Sequence, residues 1–147
     1  MDKGGDGAVL IGEYNHSFDA KGRVIFPAKF REDMGERFIL TKGLDNCLFA
    51  YSMGEWEKLE QKIRELPLSR SRTLQRFFFS GAVEVEIDKS GRILVPQSLR
   101  LYAGLSKEAV IIGVSGRAEI WDKERWEANC AEITSEMVEE AMESLGF

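Results

Sequence analysis

Phe18-Asp-Ala-Lys-Gly-Arg-Val-Ile-Phe-Pro-Ala-Lys-Phe-Arg31 decides the fold, because the chain says it twice. It aligns without a gap on Ile87-Asp-Lys-Ser-Gly-Arg-Ile-Leu-Val-Pro-Gln-Ser-Leu-Arg100, at a constant offset of 69. Asp, Gly, Arg, Pro and the final Arg are identical, and every large apolar position stays apolar. After a slip of one residue, Gly43 through Trp56 lies on Gly113 through Trp126, with Tyr51 on Trp121 and Trp56 on Trp126. Register and chemical class held over such spans mark an internal repeat.

Each copy predicts the same order of elements. A strand (Val9–Tyr14; Ala82–Ile87) enters the turn Asp-x-x-Gly, and a β-favouring strand (Arg23–Phe26; Arg92–Val95) leaves it. Pro27 and Pro96 fall where the first helical residue belongs, a position that needs no N–H. Gly35 and Gly104 are helix stops. Two short strands follow in each copy, Phe38–Thr41 with Cys47–Tyr51 and Ala109–Gly113 with Ala118–Trp121. A terminal helix closes each unit. Trp56, Leu59, Ile63 and Leu66 make one apolar stripe, and Trp126, Cys130, Ile133, Met137, Ala141 and Leu145 another, spaced for a single long helix.

Two units are too few for a solenoid, and one unit alone buries too little. The expectation is therefore an α+β protein in which two ββαββα units form one pseudo-twofold domain. Its hairpins share a sheet or small barrel, and its helices pack outside. The boundaries expected are a flexible leader at 1–9, a first repeat with linker helix at 10–80, and a second repeat with an acidic C-terminal helix at 81–147.

The turn residues have an architectural explanation that comes first. Asp accepts hydrogen bonds from backbone amides further along the turn, and Gly supplies positive φ. Asp19, Gly22, Asp88 and Gly91 are thereby expected turn formers. Arg23 and Arg92 leave two readings open. Each is either the partner of its own Asp across the hairpin neck, an exposed pair contributing about 0–1 kcal/mol, or a donor projecting from a β-ribbon. A two-stranded ribbon fits the DNA major groove, where an Arg fork bonds guanine O6 and N7 together. Lys21 and Lys89, in the same turns, would meet phosphates or bases.

Gly12-Glu-Tyr-Asn-His-Ser-Phe-Asp-Ala-Lys-Gly-Arg-Val-Ile-Phe-Pro27, with its partner Ile87-Asp-Lys-Ser-Gly-Arg-Ile-Leu-Val-Pro96, closely resembles the MraZ family of bacterial transcriptional regulators. The resemblance runs from about Leu10 to the end, and its doubled Asp-x-x-x-Arg motif is specific. It implies an AbrB/SpoVT-like swapped-hairpin fold with both hairpins in one chain. It further implies ring-shaped homo-oligomers that bind short direct repeats in the promoter of their own division and cell-wall gene cluster. Carried over by motif position, the DNA-contacting residues are Lys21 and Arg23 in the first copy, and Lys89 and Arg92 in the second. The tips differ, Ala-Lys-Gly against Lys-Ser-Gly, so the first hairpin is expected to contact DNA more strongly.

Net charge is −5 over 147 residues, which at first argues against a nucleic-acid partner. The charge is unevenly placed. Residues 127–147 hold six glutamates and no Lys or Arg, leaving +1 on the remainder. Residues 58–76 carry six basic groups against two acidic. Any basic surface must be local. Ser69–Arg76 is read as a solvated linker or helix face, with phosphate contact as the rival role. Phe77–Phe79, Tyr51, Trp121 and Trp126 are read as core or subunit interface, and Met137 and Met142 as contacts for a neighbouring subunit.

No catalytic constellation is present: the sequence has no phosphate loop, nucleophile elbow or metal-ligand cluster. His16 is the single histidine, which excludes a His-based triad or a multi-His metal site, and it is placed on the edge of the first strand. Cys47 and Cys130 read as buried or partly buried thiols of a reducing cytoplasm. No apolar run approaches the ~20 residues of a membrane span. The expected protein is thus not an enzyme and needs no cofactor, metal or small-molecule substrate. It is cytoplasmic and nucleoid-associated, and its partners are double-stranded promoter DNA and copies of itself. The alternative is a non-enzymatic interaction or assembly module, in which the hairpins only pair sheets and the acidic helix recruits a partner.

Overall fold

A computed structural model describes residues 9–146 of the chain. The expected leader therefore lies outside the described residues, apart from Val9. The first copy contains β1 (Leu10–Ser17), β2 (Arg23–Ile25), α1 (Ala28–Met34), β3 (Arg37–Lys42), β4 (Leu48–Tyr51) and α2 (Met53–Arg64). A short helix, α3 (Leu68–Leu74), runs into a π-helical turn at Gln75–Phe79. The second copy contains β5 (Val83–Glu86), β6 (Arg92–Leu94), α4 (Gln97–Ala103), β7 (Glu108–Ser115), β8 (Ala118–Asp122), α5 (Lys123–Glu132) and α6 (Ser135–Glu143).

The two copies interleave. A six-stranded antiparallel sheet has the order β1-β7-β8-β4-β3-β5, and β2 pairs with β6 in a separate two-stranded ribbon. Each copy's first strand thus lies against the third strand of the other, and each second strand against its own equivalent. Beyond the neck of each turn the two flanking strands part: β1 goes to β7 and β2 to β6. At the centre of the ribbon Val24 faces Ile93, and at the centre of the sheet Phe49 faces Glu119. Both pairs join equivalent positions of the repeat, so a pseudo-twofold axis passes through both. The swapped, duplicated α+β architecture is as expected. The main sheet stays open, with β1 and β5 as its edges among the described residues.

Alternation along the strands places apolar side chains on both faces of the sheet. Ala109 and Ile111 of β7, Leu48 and Ala50 of β4, and Ala118 and Ile120 of β8 join a core formed with the ribbon and α1 and α4. That core contains Val24, Phe26, Phe30, Phe38, Ile93, Val95 and Leu99, each nearly or fully buried. The other face, with Phe49, Val110, Ile112 and Trp121, is covered by α2, the π-helical turn and α5 through Ile63, Trp56, Phe78 and Trp126. Each fully buried aliphatic or aromatic side chain contributes about 1.5–3 kcal/mol of transfer free energy. Phe77–Phe79, Tyr51, Trp121 and Trp126 are therefore packing residues, as the sequence suggested. The hydroxyl of buried Thr41 donates to the carbonyl of Phe78 at 2.6 Å, satisfying a backbone oxygen inside the π turn.

Three expectations change. Pro27 and Pro96 occupy the cap position, not the first helical one: their ψ values of 133° and 150° are extended. The C-terminal helix is two helices. Ile133 is extended (ψ 118°), and the hydroxyl of Thr134 accepts from the Met137 amide at 3.1 Å, starting a new helix. Cys130 is exposed, while Cys47 is buried and its thiol pKa is pushed up by desolvation. His16 lies within β1, opposite Ala109, and partial burial lowers its pKa.

Candidate nucleic-acid interface

The ribbon is three residues long on each side, and alternation settles what it shows to solvent. Val24 and Ile93 point into the core, whereas Ile25 and Leu94 are exposed and Arg23 and Arg92 half-exposed. Register sets Arg23 opposite Leu94 and Arg92 opposite Ile25. The outer face therefore carries two arginines and two aliphatic side chains in a crossed arrangement. Lys21 and Lys89 are exposed in the flanking turns, Lys21 next to the turn glycine and Lys89 one position earlier.

Both turns are built the same way. Asp19 Oδ1 accepts from the amides of Lys21 and Arg23, each at 2.9 Å, and its Oδ2 accepts from Arg23 Nε at 2.7 Å. Asp88 Oδ1 accepts from the amides of Ser90 (2.8 Å) and Arg92 (2.9 Å), and its Oδ2 from Arg92 Nε at 3.1 Å. Gly22 and Gly91 carry φ of 84° and 81°, and their amides donate to the carbonyls of Asp19 and Asp88. The amide of Arg23 is the main cause that holds the Asp19 carboxyl down at about 2. Asp88 is lowered for the same first reason, the Arg92 amide.

The copies also brace each other. The carbonyl of Gly91 accepts from the Phe26 amide at 2.9 Å, and that of Gly22 from the Val95 amide at 3.0 Å. Arg92 reaches across the ribbon, its Nη1 lying 3.5 Å from Asp19 Oδ2. The two arginines thus converge on one carboxylate oxygen. Their Nε atoms are taken by the aspartates, which fixes the plane of each guanidinium, and Arg92 gives one terminal nitrogen to Asp19 as well. The first fork is tied to one Asp and the second to both.

Arg31 and Arg100 are the last residues of the repeated motif, and turn chemistry alone assigns them no role. Arg100 Nε donates to the carbonyl of Val95 at 2.9 Å, and its guanidinium lies under Gly22 of the opposite copy, where an added Cβ would come within 2.8 Å. Arg31 lies under Gly91 in the equivalent place, 2.7 Å from such a Cβ. Its Nε is buried with no hydrogen-bond partner among the described residues. Their identity in both copies was the available signal. What it meant required the strand exchange, since a helix-end Arg on its own looks like a solvated one.

Ribbon, crossed sheet and mirrored turns define an internally duplicated swapped-hairpin protein with a basic ribbon at its pseudo-twofold axis. Residues 9–77 and 78–145 each match the family described as "MraZ protein, putative antitoxin-like". The chain belongs to the MraZ family. It is 60% identical over 143 residues to "Transcriptional regulator MraZ" of Acetivibrio thermocellus, covering 95% of this chain and 100% of that protein. The protein of the same name from Caldicellulosiruptor bescii is 56% identical with the same coverage. That of Pelotomaculum thermopropionicum is 63% identical over 121 residues, 81% of this chain and 83% of its own.

Proposed function

We propose that this chain is a transcriptional regulator that binds double-stranded DNA sequence-specifically, laying the β2–β6 ribbon in the major groove. The observation that carries the reading is the pair of arginines held side by side on the outer face of that ribbon by their own aspartates. A guanidinium whose Nε is already bonded presents two parallel N–H groups, the geometry that guanine O6 and N7 accept. Ile25 and Leu94 beside them suit thymine methyl groups. Lys21 and Lys89 at the ends are placed for phosphates, which position the ribbon without reading sequence. The names of the relatives support the same class of function.

The ribbon is small, so useful affinity requires several ribbons on repeated sites. A homo-oligomer, in ring form as the family resemblance implies, supplies them. Its own division and cell-wall gene promoter is the proposed target, and the nucleoid in the cytoplasm the proposed location. Arg23 is the stronger of the two readers, because Arg92 is tied to both carboxylates.

The test is a gel shift on duplex DNA from upstream of this protein's own gene. Wild type should bind with affinity that falls steeply with salt, and Arg23→Ala with Arg92→Ala should abolish the shift. Unchanged binding by the double variant would sink the ribbon mechanism. A second reading draws on the exposed Ile25 and Leu94, which would serve an assembly module equally well. Failure of the wild type to shift this DNA at low salt would favour it.

A further inference from the structure

The α6 helix is amphipathic, and none of the described residues covers it. Met137, Val138, Ala141 and Met142 fall on one half of its circumference, with Ile133 just before the helix and Leu145 just after it, and its glutamates, 136, 139, 140 and 143, fall on the other half. Every described residue from Ala131 onward is exposed, Met137 by 53% and Leu145 by 69%. A contiguous apolar face of this kind marks a contact site. The same chain carries a complement elsewhere. Leu68, Arg72 and Arg76 recur at i, i+4 and i+8 on the outer side of α3 and its π-helical continuation. Leu68 is 76% exposed, and residues 66–79 include three arginines and no carboxylate.

We infer that α6 of one copy docks on α3 of a neighbouring copy, apolar face over Leu68 and the arginine stems, with Glu139 and Glu140, the glutamates that flank that face, against Arg72 and Arg76. The inference rests on the oligomeric reading above and assigns the surfaces that carry it. Charge selects this pairing: two α6 helices would bring glutamates together, whereas α6 on α3 joins opposite signs. Exposed ion pairs add little affinity by themselves, so the apolar face supplies the attraction and the charges set the partner. Long Arg stems can cover apolar surface while their heads stay with the carboxylates. A DNA phosphate lattice would use the arginines but leave Leu68 without a role. Because the two surfaces differ, the contact is heterologous, and repetition of it closes a ring or extends a filament.

Light scattering on the full chain after size exclusion tests this. Wild type should be oligomeric, while Met137→Glu with Val138→Glu, and separately Arg72→Glu with Arg76→Glu, should each run as a single chain. Mixing these two defective proteins should give a mass of two chains, since one intact α6 and one intact α3 remain between them. Glu139→Arg with Glu140→Arg, placed in the Arg72→Glu, Arg76→Glu background, should restore the wild-type mass. Wild-type monomer would overturn both this inference and the oligomeric reading. An oligomeric wild type whose mass neither pair of substitutions changes would overturn the inference alone. So would an Arg72→Glu, Arg76→Glu protein that keeps its mass and loses only DNA binding, which would make the stripe a phosphate contact. A mixture that stays monomeric would also count against a heterologous contact.

Discussion

Asp19 builds its turn through two backbone amides, and it also holds Arg23 by Nε and draws Arg92 from across the ribbon. The neck pair of the sequence reading therefore exists, and it fixes the guanidinium on which the proposed function relies. Protonation should undo it. The Asp19 carboxyl titrates at about 2 instead of its usual 3.8, so the folded state binds fewer protons than the unfolded one between those values. Its contribution is fully present above about 3.8 and is lost as pH falls toward 2, with Asp88 acting in the same direction. Urea midpoints measured from pH 5 to 2 should drop more steeply for wild type than for Asp19→Asn. Parallel curves would mean that the carboxylate contributes nothing to folding. Asp19, Gly22, Asp88 and Gly91 were legible because turn chemistry is local. Arg31 and Arg100 were not, because each serves a turn 60 or more positions away that only the fold brings near.

Among the elements, strands were legible in kind and order, and partners were not. Period-two alternation announces a strand, but it does not say which of several antiparallel neighbours will take it. β1 is paired along its whole length with β7 of the other copy. Gly113 sits in the middle of that pairing, where a Cβ would come within 2.6 Å of the Ile11 amide nitrogen and of the Leu10 carbonyl carbon. Backbone cannot give way as a flexible side chain does. Gly113→Ala should therefore displace β1 and destabilise the protein by roughly 1–3 kcal/mol, the usual range for overpacking, read as a lower denaturation midpoint. Unchanged stability, with hydrogen exchange showing β1 still protected, would contradict the pairing. The division of the C-terminal segment into α5 and α6 had a readable signal in Thr134-Ser-Glu, a helix start. The apolar spacing ran straight across it and concealed the break, since period alone does not register a cap.

For the whole molecule, the exchange means that neither copy owns a complete fold. The first copy lacks a partner for β1 and for β2, and Phe26, Phe30 and Phe38 would lose Ile93, Val95 and Leu99 from the core they share. A half-chain of residues 10–80 should accordingly be unfolded as a monomer or fold only as a dimer, one half taking the place of the missing copy. Sedimentation with circular dichroism would show this, and a folded monomeric half would refute the interleaving. Two copies of one unit, the residues that make their turns and the buried face of each strand are all legible in the chain alone. These follow from local backbone preference and hydrophobic period, which act within a few residues. The exchange of strands, the convergence of two arginines of different copies on one aspartate, and the seating of Arg31 and Arg100 under the turn of the opposite copy arise only in the folded molecule. The repeated hairpin motif is written in the chain. Its pairing across the pseudo-twofold axis depends on burying Val24 and Ile93 together, and that energy exists only once both copies have met.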